Sequence, residues 1–242
     1  MDGEPTGPTS ETRYFDREYF AYHPGKKKYF DAVAAILESQ GLRRGGRVLD
    51  VGAGYGFLLR VFEERGYQAY GIEISEHAAE KSRSFCRAPI TVQSAETRFP
   101  FEDDFFDAVV VNDVVEHLAD PAACLREIRR TLAPNGIVFV QTLNRHSIAH
   151  LLLGKRWTWY QDPTHVHMFT PQGLAQLIRD SGLDVLRTQT FFNFCQVGET
   201  TTFLKSLRRI GRIVRVPALG DSFYVVARKR IPPAGTAGVE VN

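Results

Sequence analysis

Cysteine is scarce in this sequence. Cys86, Cys124 and Cys195 are far apart, odd in number and form no C-x-x-C pair, which argues against a disulfide framework and against a zinc site. The first twenty residues, MDGEPTGPTSETRYFDREYF, hold no apolar signal core. No run approaches the ~18 apolar residues that a membrane helix needs. Neither sign of charge dominates: 30 Lys and Arg against 28 Asp and Glu leave a net charge of +2, so composition makes no case for nucleic acid or an anionic membrane as partner. No internal repeat is visible. These absences point to a soluble protein of a reducing cytoplasm.

What remains is ordinary globular material. The 242 residues are 43% hydrophobic and 24% charged, enough for one large domain with a lid and too few for two full α/β domains. Residues 1–12 and 231–242 are rich in Gly, Pro and small polar residues and read as loose ends around one domain, 13–230. Within it, apolar β-branched runs alternate with helical patterns. Strands are expected at Arg47–Val51, Ala69–Ile74, Ile90–Gln93, Ala108–Asn112, Ile137–Thr142, Asp184–Thr190 and Ser222–Arg228. Helices are expected at Lys26–Ser39, Phe57–Arg65, Glu76–Phe85, Pro121–Leu132 and Pro171–Ser181. Pro121 and Pro171 suit a first helical turn, and Gly66 and Gly182 suit helix stops. The alternation predicts an α/β, Rossmann-like doubly wound sheet: seven strands, mostly parallel, the last antiparallel. Two segments break the alternation, 145–169 and 191–220, and read as lids over the ligand face.

One loop carries the strongest chemical signal. Val48-Leu49-Asp50-Val51 runs straight into Gly52-Ala53-Gly54-Tyr55-Gly56, and a helix pattern follows. Glycine permits a tight turn and close approach of a ligand to the main chain. Glu73 ends the next strand, about twenty residues on, where a carboxylate can accept both hydroxyls of a ribose. The spacing is G-x-G-x-G, and Phe57 stands where a dinucleotide fingerprint wants a third-turn glycine, so a pyrophosphate is poorly seated.

These residues resemble the class I S-adenosylmethionine (SAM)-dependent methyltransferases, over roughly Arg47 to Lys229. Asp50 to Gly56 is similar to the family's first motif. The resemblance assigns Asp50, Gly52, Ala53, Gly54 and Gly56 to the methionine end of SAM, Glu73 to the ribose, and Ile74 to the adenine. Ser94-Ala95-Glu96 matches the turn around the adenine edge, with Ser94 in place of the common Asp. Asn112 follows the fourth strand, and Leu132-Ala133-Pro134-Asn135-Gly136 resembles the turn before the fifth. Tyr22, in an aromatic stretch before the first helix, is expected near the methionine end. Asp113-x-x-Glu116-His117 and Thr164-His165 resemble the small-molecule enzymes of ubiquinone biosynthesis. There the first pattern is associated with a divalent cation near the acceptor; here Asp113 replaces its first Glu, and we assign no metal ligand.

The reading is methyl transfer to a small-molecule hydroxyl: a sugar, a phenol or a natural product. A base near neutral pH then helps remove the hydroxyl proton, and histidine titrates there without special tuning. His165, His117 and Asp113 are the catalytic candidates. Trp157, Trp159, Tyr160 and His167 are candidates for the acceptor pocket, though the aromatics equally suit the apolar underside of a lid. His165 and His167 would share one face of an extended segment, with no third metal ligand evident near them. Asp162 is placed to orient a histidine or simply to start a turn. Lys205–Arg215 reads best as a solvated amphipathic helix. Rivals are N- or C-methylation of a small molecule, a nucleic-acid methyltransferase, and a SAM-binding partner subunit without turnover. The proline cradle of base-modifying enzymes is absent after Asn112. A homodimer is compatible with the sequence.

Overall fold

A computed structural model describes residues 24–192, 214–215 and 220–230. Tyr22, Cys195, both expected loose ends and most of the second lid segment lie outside these residues. The elements are α1 (Pro24–Ser39), β1 (Arg47–Val51), α2 (Phe57–Glu64), β2 (Gln68–Glu73), α3 (Glu76–Ser82), β3 (Ile90–Val92), β4 (Phe106–Asn112), α4 (Pro121–Thr131), β5 (Leu132–Leu143), α5 (Ile148–Leu153), α6 (Pro171–Asp180), β6 (Leu183–Phe192), β7 (Val214–Arg215) and β8 (Ser222–Lys229). Expected and observed boundaries agree within a few residues for most elements. The largest difference is β5, which begins at Leu132, so the expected turn is a left-handed Asn135 (φ 65°) within the strand span.

The strands form one sheet in the order β3-β2-β1-β4-β5-β8-β6-β7. Pairings from β3 through β5 are parallel, whereas β8 runs antiparallel between β5 and β6. The seven expected strands are present, and the two-residue β7 adds a short edge against Phe191 and Phe192. Val214–Arg215 is therefore strand, where the sequence suggested the end of an amphipathic helix.

Both faces are covered, which explains the nearly continuous apolar strands. One cluster joins α1 and α2 to the sheet through Val33, Leu37, Leu59 and Phe62. The other joins α4 and α6 through Leu125, Ile128, Leu174 and Ile178. Asp120 and Thr170 cap α4 and α6 by accepting from the amides of Ala123 and Gly173, each with proline in the first turn. Chain order reverses between β1 and β4. That switch point opens a crevice at the C-terminal strand ends, where ligands of such sheets bind.

Candidate active site

The glycine loop sits at this crevice. Gly52, Gly54 and Gly56 all have positive φ, at 79°, 53° and 75°, a region that L side chains rarely adopt. Space is short as well: a Cβ on Gly52 would stand 2.3 Å from Val114 Cγ2, and one on Gly56 2.5 Å from Cys86 Sγ. The amides of Gly52 and Ala53 both donate to the Ile72 carbonyl, which ties the loop to β2. Glu73 closes the arrangement: its Oε2 accepts from Gly54 N–H at 2.7 Å and its Oε1 from Ser75 N–H at 2.9 Å. A carboxylate oxygen can accept more than one hydrogen bond, the capacity that a ribose-binding acid needs.

Asp50 lies beneath the loop, 3% exposed. Burial, reinforced by the charge of Glu73, holds its carboxyl well above the usual carboxylate range. Burial of Asp50 beside a second carboxylate favours a cationic ligand, whose charge would offset that burial. Farther along, Ile74 is half exposed and Ala95 buried. Ser94 Oγ accepts from Glu96 N–H at 3.2 Å. Glu96 Oε1 accepts from Asp120 N–H at 2.6 Å, so this carboxylate also anchors the approach to α4.

A second cluster forms at the end of β4. Asp113 is left-handed, φ 53°, and a 3-10 turn, Val115–His117, follows. The carbonyl of Glu116 accepts from Val166 and His167 N–H at 2.8 and 3.0 Å, pinning the lid segment onto this turn. His165 meets His117 with ring centroids 4.6 Å apart. Hydrogen bonds set both tautomers. Thr164 Oγ1 donates to Asp162 Oδ1 at 2.6 Å, so it must accept from His117 Nδ1–H at 2.8 Å. His165 Nδ1–H donates to the Trp159 carbonyl at 2.8 Å. Both rings thus carry their lone pair on Nε2, and His165 Nε2 lies 3.9 Å from Asp162 Oδ2.

Glu116, His117 and His165 each offer one donor atom, all within 4.8 Å of one another. Glu116 is 1% exposed. Burial first and nearby Asp113 second push its carboxyl well up, while a hydrogen bond with Thr142 opposes them. Among the described residues its Oε2 has no hydrogen-bond partner. A buried carboxyl beside two imidazole nitrogens is a donor set that fits a divalent cation, which would favour the carboxylate form.

The expectation that either histidine titrates near neutrality untuned fails for His117. Burial, with the neighbouring His165 ring, lowers it to about 4. The expected pairing of His165 with His167 is also corrected. His165 turns to His117, whereas His167 Nε2 reaches the Ala119 carbonyl at 3.4 Å, because the two backbone bonds to Glu116 fix the lid's path.

The aromatics separate. Trp157 is buried at 2% exposure and stacks on His150. Trp159 stacks on His165 and its Nε1–H donates to the His167 carbonyl at 3.3 Å. Tyr160 is half exposed. Sequence reasoning missed Tyr29, whose hydroxyl donates to Asn112 Oδ1, while Asn112 Nδ2–H donates to Asp113 Oδ2 at 3.0 Å. Its only local sign is a helical position shared with the core residues Val33 and Leu37.

Comparison with known proteins decides the family. Residues 19–188 match the methyltransferase domain family. The chain belongs to that family. It is 34% identical over 152 residues to the ubiquinone biosynthesis O-methyltransferase of Methylococcus capsulatus, covering 58% of this chain and 64% of that protein. With the enzyme of the same name from Neisseria meningitidis serogroup C it is 33% identical over 180 residues, 69% of this chain and 73% of that one. The match thus spans roughly two thirds of these relatives. A SAM-dependent methyltransferase from Archaeoglobus fulgidus superposes with a TM-score of 0.59 at 22% identity, over 83% of this chain and 94% of that one, a likeness of fold. As a SAM-dependent methyltransferase the protein takes SAM as its cofactor.

Proposed function

We propose that this methyltransferase transfers the methyl group of SAM to the hydroxyl of a small molecule, and that His165 is its base. One observation carries the reading. His165 Nδ1–H donates to the Trp159 carbonyl, which leaves the ring's lone pair on Nε2, 3.9 Å from Asp162 Oδ2. When bound, SAM supplies a methyl carbon already activated by its sulfonium leaving group. The chain's task is then to hold the acceptor oxygen in line and accept its proton. Glu73 would take the ribose hydroxyls, Ile74 and Ala95 would flank the adenine with Ser94 and Glu96 at its edge, and Asp50 and Asn112 would face the amino-acid head. Tyr22 would close over that end. Trp159 and Tyr160 would line the acceptor pocket, with His167 at its rim and Trp157 bracing it from below. The proton of the acceptor hydroxyl would pass to His165 Nε2, and Asp162 would stabilise the imidazolium. His117, with its lowered basicity, serves as ligand or hydrogen-bond partner instead.

The names of the relatives favour a phenolic hydroxyl. Labelled SAM offered with phenols, sugars and other hydroxylated acceptors should give a methyl ether with one class. Product carrying label on nitrogen or carbon alone would overturn the reading. A second reading keeps the reaction and adds a divalent cation on Glu116, His117 and His165, with Asp113 behind them. The 4.8 Å cluster favours it. Chelation should then abolish turnover and added Mg²⁺ or Mn²⁺ restore it; full turnover in chelator leaves His165 alone in the role.

A further inference from the structure

The sheet face beneath α1 carries polar groups that its own neighbours leave without partners. Gln141 and Ser222 are fully buried, and among the described residues neither amide atom of Gln141 nor the Ser222 hydroxyl has a hydrogen-bond partner. Gln141 lies opposite Tyr224 and Leu143 opposite Ser222, so these side chains share one face. Tyr224 and Phe139 belong to the cluster that α1 covers, which identifies that face. Native structures seldom leave such groups unpaired.

Beside them, a cleft of about 310 Å³ runs between α1 and strands β5, β8 and β6, within the range of small-ligand sites. Tyr29, Phe139, Phe191 and Tyr224 make its wall, and Arg187 lines it too. The rings stack on one another: Phe139 lies 5.0 Å from Tyr224, and Tyr29 6.3 Å from Phe191. Arg187 is partly buried. Its guanidinium donates to Gln189 Oε1 at 3.4 Å and stands 5.9 Å from the Tyr224 ring. Among the described residues no carboxylate lies within ion-pair distance of it, in contrast to Arg65 and Arg130, each of which holds two acids. A cation half withdrawn from water with no counter-charge costs free energy that an anionic ligand would recover.

We propose that this cleft binds a small amphiphile with one anionic group, its apolar body on the aromatic wall and its anion on Arg187. The site is distinct from the methyl-transfer crevice: no residue of the glycine loop or the histidine cluster lines it. It is not isolated from that crevice, because Tyr29 forms one wall and donates to Asn112.

The test titrates the full-length protein with anilinonaphthalene sulfonate, an anionic aromatic dye, and competes it with decanoate and with decanol. We expect saturable fluorescence that decanoate reverses and decanol reverses about tenfold less well, the scale of a charge-assisted contact. Arg187→Gln should weaken dye and decanoate by about tenfold or more, and Arg187→Lys should retain most of the affinity. Ala35→Trp, at an exposed position on the cleft rim, should block binding without entering the core, as circular dichroism would verify. Excess SAM should leave the dye in place. Displacement of the dye by SAM, wild-type affinity in Arg187→Gln and Ala35→Trp, or no saturable binding would each overturn the proposal.

Discussion

At the scale of single residues, the environment of each titratable group decides its chemistry. Glu73 both holds the glycine loop and faces the expected ribose, so Glu73→Ala should weaken SAM binding by about 1.5–3 kcal/mol, the scale of losing hydrogen bonds to a charged group. Isothermal titration measures it; an unchanged dissociation constant in the folded variant removes Glu73 from the role. His165→Ala should lower turnover about 10²-fold or more with SAM affinity nearly unchanged. His117 makes a prediction of a different kind. Its value falls from 6.5 unfolded to about 4 folded, so between these pH values the unfolded chain binds more protons. The resulting stability is complete above pH 6.5 and is lost as pH falls toward 4, on the order of 3 kcal/mol. Unfolding midpoints across that window should decline less steeply in His117→Asn than in the parent. Glu116 has the opposite sign: its raised value makes it cost stability as pH climbs, so Glu116→Gln should be the more stable variant at alkaline pH.

At the scale of elements, the segment 145–169 combines a fixed half with an exposed one. Its second half is clamped to the Val115–His117 turn by backbone bonds. Its first half, α5, buries no residue, and Leu151 and Leu152 are 82% and 75% exposed. Leu151→Ser and Leu152→Ser should therefore change stability by no more than about 0.5 kcal/mol, as denaturant unfolding would show. A loss of several kcal/mol would mean that these leucines pack on something. Helix α2 behaves oppositely, because its N-terminal Gly56 has both a left-handed φ and no room for a Cβ. The sequence revealed α2 through its hydrophobic period and its glycines. It gave no sign of α5, since a six-residue apolar run without a covered face has no period to read.

At the scale of the molecule, a cofactor that binds only the folded chain stabilises it by mass action. SAM at a hundred times its dissociation constant should add about 2.7 kcal/mol, a rise in Tm of about 5–10 °C for a domain of this size. Calorimetry with and without SAM measures it, and no shift at saturation would contradict cofactor binding. Much of this architecture is set locally. The sheet order from β3 to β5 follows from right-handed strand–helix–strand units, each closed within a few tens of residues. The glycine loop and Glu73 fall inside one such unit, so their meeting is legible from spacing alone. The histidine cluster is not of this kind. His117 and Thr164 are 47 positions apart, on segments that only the folded sheet brings together, and no local rule specifies that approach. Which nitrogen carries each proton follows from Thr164, Asp162 and the Trp159 carbonyl, none of which is adjacent to His117 in the chain. The lowered basicity of His117 and the raised acids Asp50 and Glu116 depend on desolvation, a property of everything packed around a group. The placing of Arg187 beside its aromatic wall has the same origin. The sequence by itself determined which residues could bind and react; the tertiary structure decided their partners, their protons and their charge, because burial and long-range contact exist only in the folded chain.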